Sequence, residues 1–228
     1  MTFEDLINLY ENKKKIYGDN TYRHISEILK EAKESYIRFK LENGVDDAEQ
    51  SWKAFKGKNL EKIIEYIITD DIKKLGLSII NGNKLEKIKN IQNKTLDLLK
   101  RNLCIDYGEY GLHLPDVDII IYDDKTSKII AVLSIKVTLR ERVAQTGYQT
   151  GYWKLKLMQS SVTKHIKVLF VTLDEDKTLS IKNPTKKGRA ISEVDTDGCY
   201  ILTESNIESS NKVKLFSEFI NDLKKIIK

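Results

Sequence analysis

Hydrophobic residues recur at helical spacing through the first hundred positions of the chain. The apolar positions within 6–10, 25–37 and 60–68 repeat at intervals of three and four residues, which places each set on one face of a helix. The pair Asn43-Gly44 is typical of a helix end, so it closes the second set. The pattern therefore predicts that this part of the chain is mainly helical.

The period then changes to two continuous apolar runs that are rich in β-branched residues. Residues 114–122 and 129–136 are separated by a short segment of turn-forming residues. Such runs suit a pleated, buried surface, so they predict a β-hairpin. If the turn is centred near Lys125 and Thr126, the numbers of directly opposed residues sum to about 251 or 252.

The remaining apolar runs complete the predicted fold. They indicate a helix over 85–99, strands over 164–173, 178–181 and 199–202, and a final amphipathic helix. We predict an α/β fold, in which a mixed β-sheet is flanked by helices and the N-terminal half is helical. No linker interrupts the chain, so we predict a single domain over 1–228, made of a mainly helical part (1–101), the sheet with the helix after its hairpin (102–203) and a C-terminal helix (204–228).

Composition narrows the function classes. Hydrophobic residues make up 40% of the 228 positions, which excludes a wholly disordered chain. No apolar run approaches the ~20 residues that span a bilayer, and the first residues do not resemble a signal peptide, so we expect a cytoplasmic protein. Two cysteines and three histidines in no metal-binding spacing argue against a thiolate or imidazole metal site. A metal in this chain should therefore be a hard cation on oxygen ligands.

The charge balance is mildly basic. Lys and Arg number 39 against 34 Asp and Glu, which gives a formal net charge of +5. Such an excess is compatible with a polyanionic partner but does not require one, because a nucleic-acid surface depends on local clustering of charge.

The predicted hairpin brings an acid and a lysine together at its open end. Asp116 lies opposite Ile135 and Lys136 in the predicted register. A carboxylate can hold a divalent cation, and a nearby ammonium can orient a water or neutralise charge that builds on a phosphate. The pair therefore suits phosphodiester hydrolysis, and the alternative is a surface salt bridge between strand ends.

These residues resemble the motif of the PD-(D/E)xK nuclease superfamily, in particular that of type II restriction endonucleases. Pro115-Asp116 is similar to its first element, and Ser134-Ile135-Lys136 is similar to its second, with serine in place of the second acid. The resemblance extends over about residues 51–157. It implies a restriction-endonuclease-like sheet and Mg²⁺-dependent, sequence-specific hydrolysis of double-stranded DNA in a prokaryotic cytoplasm. It also implies a homodimer and a cognate DNA methyltransferase that acts on the same site.

The resemblance further implies a ligand set. Asp116, Glu61 and the Ile135 carbonyl would bind one or two Mg²⁺ ions, and Lys136 would position the attacking water. Glu61 lies beside the apolar stripe of a predicted helix, where it can point inward, although an acid in a first helical turn can also serve the helix dipole. Glu65 and Glu141 are the other candidates for the missing acid.

DNA contacts are expected from the segment that follows the hairpin and from one basic loop. Arg and Gln side chains read guanine and adenine edges, whereas Lys and Thr more often contact phosphates. The candidates are Thr138, Arg140, Arg142, Gln145, Gln149, Lys186, Lys187 and Arg189. For Glu141 the alternative is a capping box with Thr138, and for the basic residues it is a solvated surface.

Two other functions remain open from the sequence. One is a structure-selective or repair nuclease of the same superfamily, such as a junction resolvase. The other is a catalytically inactive DNA-binding protein, because Ser134 stands where the motif has an acid.

Overall fold

The structure is a computed structural model, and it describes residues 1–88, 92–138 and 158–227. Short 3₁₀ segments lie at Gly18–His24, Gly108–Tyr110 and Phe216–Glu218. The α-helices of the described residues are Phe3–Tyr17 (α1), Ile25–Glu42 (α2), Ala48–Lys74 (α3), Gly82–Lys87 (α4), Lys94–Leu103 (α5), Lys187–Asp195 and Phe219–Ile226.

The strands form one mixed sheet and one small hairpin. They are Ser78–Asn81 (β1), Ile105–Asp106 (β2), Leu112–His113 (β3), Ile119–Asp123 (β4), Lys128–Lys136 (β5), Lys167–Thr172 (β6), Gly198–Ile201 (β7) and Val213–Leu215 (β8). The main sheet has the order β1-β4-β5-β6-β7-β8, and β2 pairs with β3 alone. Pairing is antiparallel from β1 to β5 and parallel from β5 to β8. The predicted mixed sheet with flanking helices is confirmed.

The central hairpin has the predicted register. Ile119 pairs with Leu133, and Tyr122 pairs with Ile129 after an irregularity that follows Ile121. Opposed numbers therefore sum to 252 on one side of the irregularity and 251 on the other, as the symmetric turn predicted. The turn-forming residues between the two apolar runs set this register locally, because turn type and loop length fix the pairing of a hairpin.

Both faces of the sheet are covered, which explains the continuous apolar runs. One core cluster joins α1, α2, α3 and the C-terminal helix to the odd-numbered residues of β4 and, in β5, to Ile130, Ala131, Leu133 and Ile135. A second cluster joins α4 and α5 to Ile120, Tyr122, Ile129 and Val132. Side chains alternate along a strand, so a strand that is buried on both faces needs apolar residues at both parities.

Helix α3 crosses the first face and carries Glu61 to the end of the hairpin. Asp47 caps its N-terminus by accepting a hydrogen bond from the Gln50 amide at 2.9 Å, and positive-φ Gly76 follows its C-terminus. Its buried stripe includes Leu60, Ile63, Ile64 and Ile68, which are at most 1% exposed. That packing fixes the rotation of the helix about its axis.

Part of the segment that was predicted to be helical is a strand. Residues Ser78–Asn81 form β1 and pair with β4. The run after Gly76 is short and β-branched, so it carries too few positions to distinguish a strand from a helix by period. The helix predicted over 85–99 also differs, because α4 ends at Lys87 and α5 begins at Lys94.

The predicted strand over 178–181 was wrong. The buried Asp174 carboxylate accepts hydrogen bonds from the backbone amides of Thr178, Leu179 and Ser180 at 2.8 to 2.9 Å. These amides are therefore not available to a neighbouring strand. The hydrogen bonds to Asp174 therefore hold residues 178–180 in a loop, where the apolar residues had indicated a strand.

The C-terminal helix is shorter than predicted. Residues Val213–Leu215 form the edge strand β8, and the final helix begins at Phe219 rather than at position 204. The basic loop that was predicted to carry Lys186, Lys187 and Arg189 also overlaps a helix that begins at Lys187. Among the described residues, no helix is both long enough and apolar enough to cross a membrane.

Candidate active site

The lysine at the end of β5 lies between two aspartates. Its Nζ is 3.2 Å from Asp118 Oδ2 and 3.9 Å from Asp116 Oδ2. The Asp118 side chain is 2% exposed, whereas the Asp116 side chain is 77% exposed. Asp116 does lie near Lys136, as the sequence predicted, but Asp118 is the acid that the protein encloses.

The fold holds Asp118 through its backbone and its side chain. Its amide donates to the Leu133 carbonyl at 3.0 Å, and its carbonyl accepts from the Gly82 amide at 3.0 Å. A Cβ on Gly82 would stand 1.8 Å from the Val117 carbonyl oxygen, so only glycine permits this approach. The Asp118 carboxylate in turn accepts a hydrogen bond from the Ile135 amide at 2.5 Å.

The motif in the sequence did not single out Asp118, although a signal for it was present. Extending the 252 register by one pair sets Asp118 opposite Ser134, the position where the motif normally has its second acid. Cross-strand neighbours share one face, and Lys136 lies on that face two residues further along β5. The proline next to Asp116 directed the sequence interpretation to Asp116 instead.

Glu61 reaches this pair from α3. Burial and the negative charge of Asp118 raise the pKa of Glu61 to about 7, although Lys136 opposes the shift. Burial also raises the pKa of Asp118, against the effects of Lys136 and of the Ile135 amide. A hydrogen bond between Glu61 and Asp118 contributes to the raised pKa of Glu61. The two carboxyl groups are therefore close together, with too little positive charge around them to ionise both easily.

This donor set fits a hard divalent cation. Carboxylate and carbonyl oxygens are the ligands that Mg²⁺ prefers, and a divalent charge would relieve the repulsion between Glu61 and Asp118. The Ile135 amide faces β4, and the carbonyl of the same strand residue points toward the same neighbour. Glu61, Asp118 and the Ile135 carbonyl are thus the groups that could hold the metal.

The cluster opens into a groove of about 1150 Å³. Glu61 and Lys136 line it, together with Ile135, Val137 and Thr138 at the end of β5. Thr138 therefore borders the groove, and its contact with DNA stays a prediction. The four other post-hairpin candidates, Arg140, Arg142, Gln145 and Gln149, lie outside the described residues, as does Glu141.

Glu65 and the lysines of the basic loop lie outside the catalytic cluster. Glu65, the alternative acid one turn beyond Glu61, is not among the residues that line the groove. Lys186 and Lys187 are exposed, and the Lys186 ammonium donates to the Lys177 carbonyl at 3.1 Å. These two lysines remain predicted DNA contacts.

Arg189 does not fit the predicted role in DNA binding. Its side chain is 0% exposed, and its guanidinium donates to the carbonyl oxygens of Leu179 and Glu208 and to the Glu193 carboxylate. A guanidinium that is enclosed and bonded through each of its three nitrogens cannot reach a phosphate. Arg189 instead fastens two loops to the helix on which it lies.

A second group of possible metal ligands lies elsewhere in the described part of the chain. Ligand atoms of His24, Glu27 and Glu204 are within 4.8 Å of one another. Lys13 already neutralises Glu27, at 2.6 Å, and lowers the pKa of that carboxyl group. We interpret this group as a network of ion pairs, since a cationic partner occupies the place that a metal would need.

Two solved structures share the fold. The crystal structure of a specific complex of restriction endonuclease AgeI with DNA matches with a TM-score of 0.60 and 15% identity, over 98% of this chain and 91% of that one. The crystal structure of a pre-specific complex of restriction endonuclease BsaWI with DNA matches with a TM-score of 0.51 and 14% identity, over 99% and 93% of the two chains.

Two curated relatives have a higher sequence identity to this chain than these two solved structures have. A putative type II restriction enzyme of Methanocaldococcus jannaschii, MjaVIP, is 39% identical over 220 residues, which cover 90% of this chain and 94% of the relative. A probable type II restriction enzyme of Helicobacter pylori, HpyAORF263P, is 35% identical over 175 residues, or 72% and 87% of the two chains. The sequence profile of the BsaWI restriction endonuclease type 2 family matches residues 79–222, which include the whole hairpin and all of β1 except its first residue. This chain therefore belongs to the BsaWI family of type II restriction endonucleases.

Proposed function

We propose that this type II restriction endonuclease hydrolyses double-stranded DNA at a Mg²⁺ site formed by Asp118, Glu61 and the Ile135 carbonyl. One observation carries the proposal: the buried Asp118 carboxyl group, the half-buried Glu61 carboxyl group and Lys136 converge at the end of the hairpin, beside an open groove. Mg²⁺, when bound, would supply Lewis-acid polarisation of the phosphate and acidify a water.

The residues of the chain divide the remaining work. The Asp118 and Glu61 carboxylates would hold the metal at the end of β5, where its charge would relieve the repulsion between them. Lys136 directs its ammonium toward the same point, where it can orient the attacking water or neutralise the developing negative charge. The buried carboxylate of Asp118 accepts a hydrogen bond from that ammonium and so limits the positions it can take.

Asp116 has a different place in this proposal from the one that the motif suggested. Its carboxylate is 77% exposed and lies 3.9 Å from the Lys136 ammonium, and its negative charge adds to the raised pKa of both Glu61 and Asp118. It adds negative charge at the mouth of the site but is not enclosed with Glu61. We therefore assign the structural role of the first motif acid to Asp118.

We also propose a homodimer. Each chain offers one such catalytic cluster, and a duplex has two antiparallel strands, so a two-fold pair of chains matches a palindromic site. A restriction enzyme of this kind would act in the cytoplasm beside a methyltransferase that protects the same sequence in the host DNA.

A plasmid digest tests the proposal. We expect discrete fragments with Mg²⁺, none with EDTA and none from Asp118→Asn, while Asp116→Asn still produces the same fragments. Cleavage only at branched junctions would point to a structure-selective nuclease, and tight binding without cleavage would point to an inactive DNA-binding protein. Wild-type rates from folded Asp118→Asn would refute the assignment of the site.

A further inference from the structure

The groove beside the catalytic cluster has two basic walls. One wall is the N-terminal half of α3, and the other is the end of β1 with α4. Between them these walls contribute five lysines in addition to Lys136: Lys53, Lys58, Lys62, Lys84 and Lys87.

The α3 wall leads directly to the catalytic acid. Lys53, Gly57 and Glu61 follow one another at intervals of four residues, so they form one stripe along the helix. Lys58 and Lys62 lie on the adjacent stripe and border the same groove. A ligand that extends along this helix therefore passes cationic side chains before it reaches Glu61.

The lysines of the groove are not neutralised within the part of the chain that the structure describes. Among the ion pairs found there, none involves these five lysines, although the Lys62 ammonium lies 5.1 Å from the centre of the Phe3 ring. Glu61 is the one acid among the lining residues, and it belongs to the catalytic cluster. Lysines of like charge that face one cleft attract a polyanion.

Gly57 provides a second and independent observation. A glycine within a helix costs about 1 kcal/mol relative to alanine, so a mid-helix glycine needs a reason. Packing is not the reason, because a Cβ at this position would meet nothing within 4 Å. Its backbone conformation is not the reason either, because its φ is negative and helical. Because glycine has no side chain, the backbone of α3 is accessible to a ligand at this point of the groove, one turn before Glu61.

We propose that the sugar–phosphate backbone of duplex DNA lies in this groove, with the lysines of α3 and α4 bound to phosphates that flank the scissile one. Gly57 marks the point at which the backbone approaches α3 most closely. The inference rests on the proposed nuclease function and adds a substrate-binding surface to it. Lysine is a point charge that binds phosphates without reading bases, so this surface contributes affinity for every sequence equally.

Salt titration of DNA binding tests the lysines. We would measure the affinity of Lys58→Ala, Lys84→Ala and Lys87→Ala for a cognate and a random duplex, without metal and then with Ca²⁺. Each variant that removes a phosphate contact should weaken binding to both duplexes and lower the slope of log affinity against log salt by about 0.9. The matched control is Lys73→Ala, an exposed lysine of the same helix outside the groove, which should leave the slope unchanged.

The glycine has its own test. Gly57→Gln adds a good helix former without charge, so it should raise thermal stability while it weakens DNA binding by about tenfold, which is 1.4 kcal/mol. Gly57→Ala should be equally stable and closer to wild type in binding, because its methyl group is small. If Gly57→Gln is more stable but binds duplex DNA as tightly as the wild type, DNA does not approach α3 at Gly57 and this assignment is overturned.

The outcomes separate this inference from the proposed function. If the wild type cuts DNA but the three lysine variants keep its salt slope, the groove is not the binding surface and the nuclease proposal stands. If the wild type binds but never cuts, and the slopes fall as expected, the groove is confirmed and the catalytic proposal fails. A wild type that binds no duplex at all overturns the groove.

Discussion

Two regions of this molecule bury charge, and they do so in opposite ways. Around Arg189, a guanidinium with no exposed surface donates to two backbone carbonyls and to Glu193, and Asp174 nearby accepts several backbone amides. Every charge there meets a complementary group. At the end of the hairpin, two carboxyl groups share one lysine, and the pKa of Glu61 rises to about 7.

The difference separates structural charge from functional charge. A buried ion whose hydrogen-bonding groups are all paired stabilises one arrangement of loops and has nothing left to offer a ligand. A cluster that the protein leaves short of positive charge can be completed by a cation from solution. Perturbed acids beside a cleft are therefore better candidates for chemistry than buried arginines, even where both come from basic or acidic motifs.

The largest expected effect is on cleavage by Asp118→Asn. The substitution keeps the shape of the side chain and removes one charge that would face the metal, which is worth several kcal/mol in the transition state. We expect the single-turnover cleavage rate to fall by about three orders of magnitude, since each 1.36 kcal/mol is tenfold. Asp116→Asn, the matched control, should lose less than about tenfold because its carboxylate is exposed. The reverse order would restore Asp116 as the principal acid.

The next effect concerns stability and tests the structural side of the comparison. Arg189→Ala would leave the carbonyls of Leu179 and Glu208 without their guanidinium donor and Glu193 without its cationic partner, at a cost of about 3 kcal/mol in the free energy of unfolding. Lys187→Ala, an exposed neighbour on the same helix, should change it by less than about 0.5 kcal/mol. Urea denaturation of both variants measures this. Equal stabilities would contradict the structural role of Arg189.

Gly82→Ala should affect both stability and catalysis, because Gly82 packs against the residues that position Asp118. The added methyl group would force the Val117 backbone to move, and overpacking of this kind costs about 1 to 3 kcal/mol. We expect lower thermal stability together with slower cleavage at temperatures where the variant is fully folded. Normal cleavage by the folded variant would show that Gly82 supports the fold but not the position of Asp118.

The sequence revealed the hairpin, its register and the cluster of Lys136 with Glu61, because these depend on local signals. Strand period and turn chemistry fix the hairpin within about twenty residues, and the stripe of α3 fixes the rotation of Glu61. Strands β1 and β8 were not predicted, since four and three residues give no measurable period. Their pairing is decided by contacts with distant parts of the chain.

Other features depended on distances that a sequence does not contain. Asp116 and Asp118 are two residues apart, and only the depth of each side chain shows which acid is enclosed. Arg189 resembles its basic neighbours in sequence, and its burial follows from the loops that close over it. The groove lysines belong to two helices, α3 and α4, that come together only in the folded chain.

The smallest expected effect is on stability. Glu61→Gln should raise the stability of the metal-free protein, although it should also reduce cleavage. Burial and Asp118 raise the pKa of Glu61 to about 7, so the folded protein retains a proton that the unfolded chain releases near its ordinary value. Because the folded state binds more protons in this window, the wild type loses stability as the pH rises from about 4.5 to 7. Glutamine cannot ionise, so in EDTA the variant should match the wild type near pH 4 and be more stable by about 1 kcal/mol at pH 8.

Mg²⁺ should stabilise the wild type more than the Glu61→Gln variant, because a ligand stabilises the form that binds it. Thermal denaturation at both pH values, with and without Mg²⁺, measures these differences. A variant that is less stable than the wild type at pH 8 would show that Glu61, like Glu193, is a structural acid whose charge is already compensated.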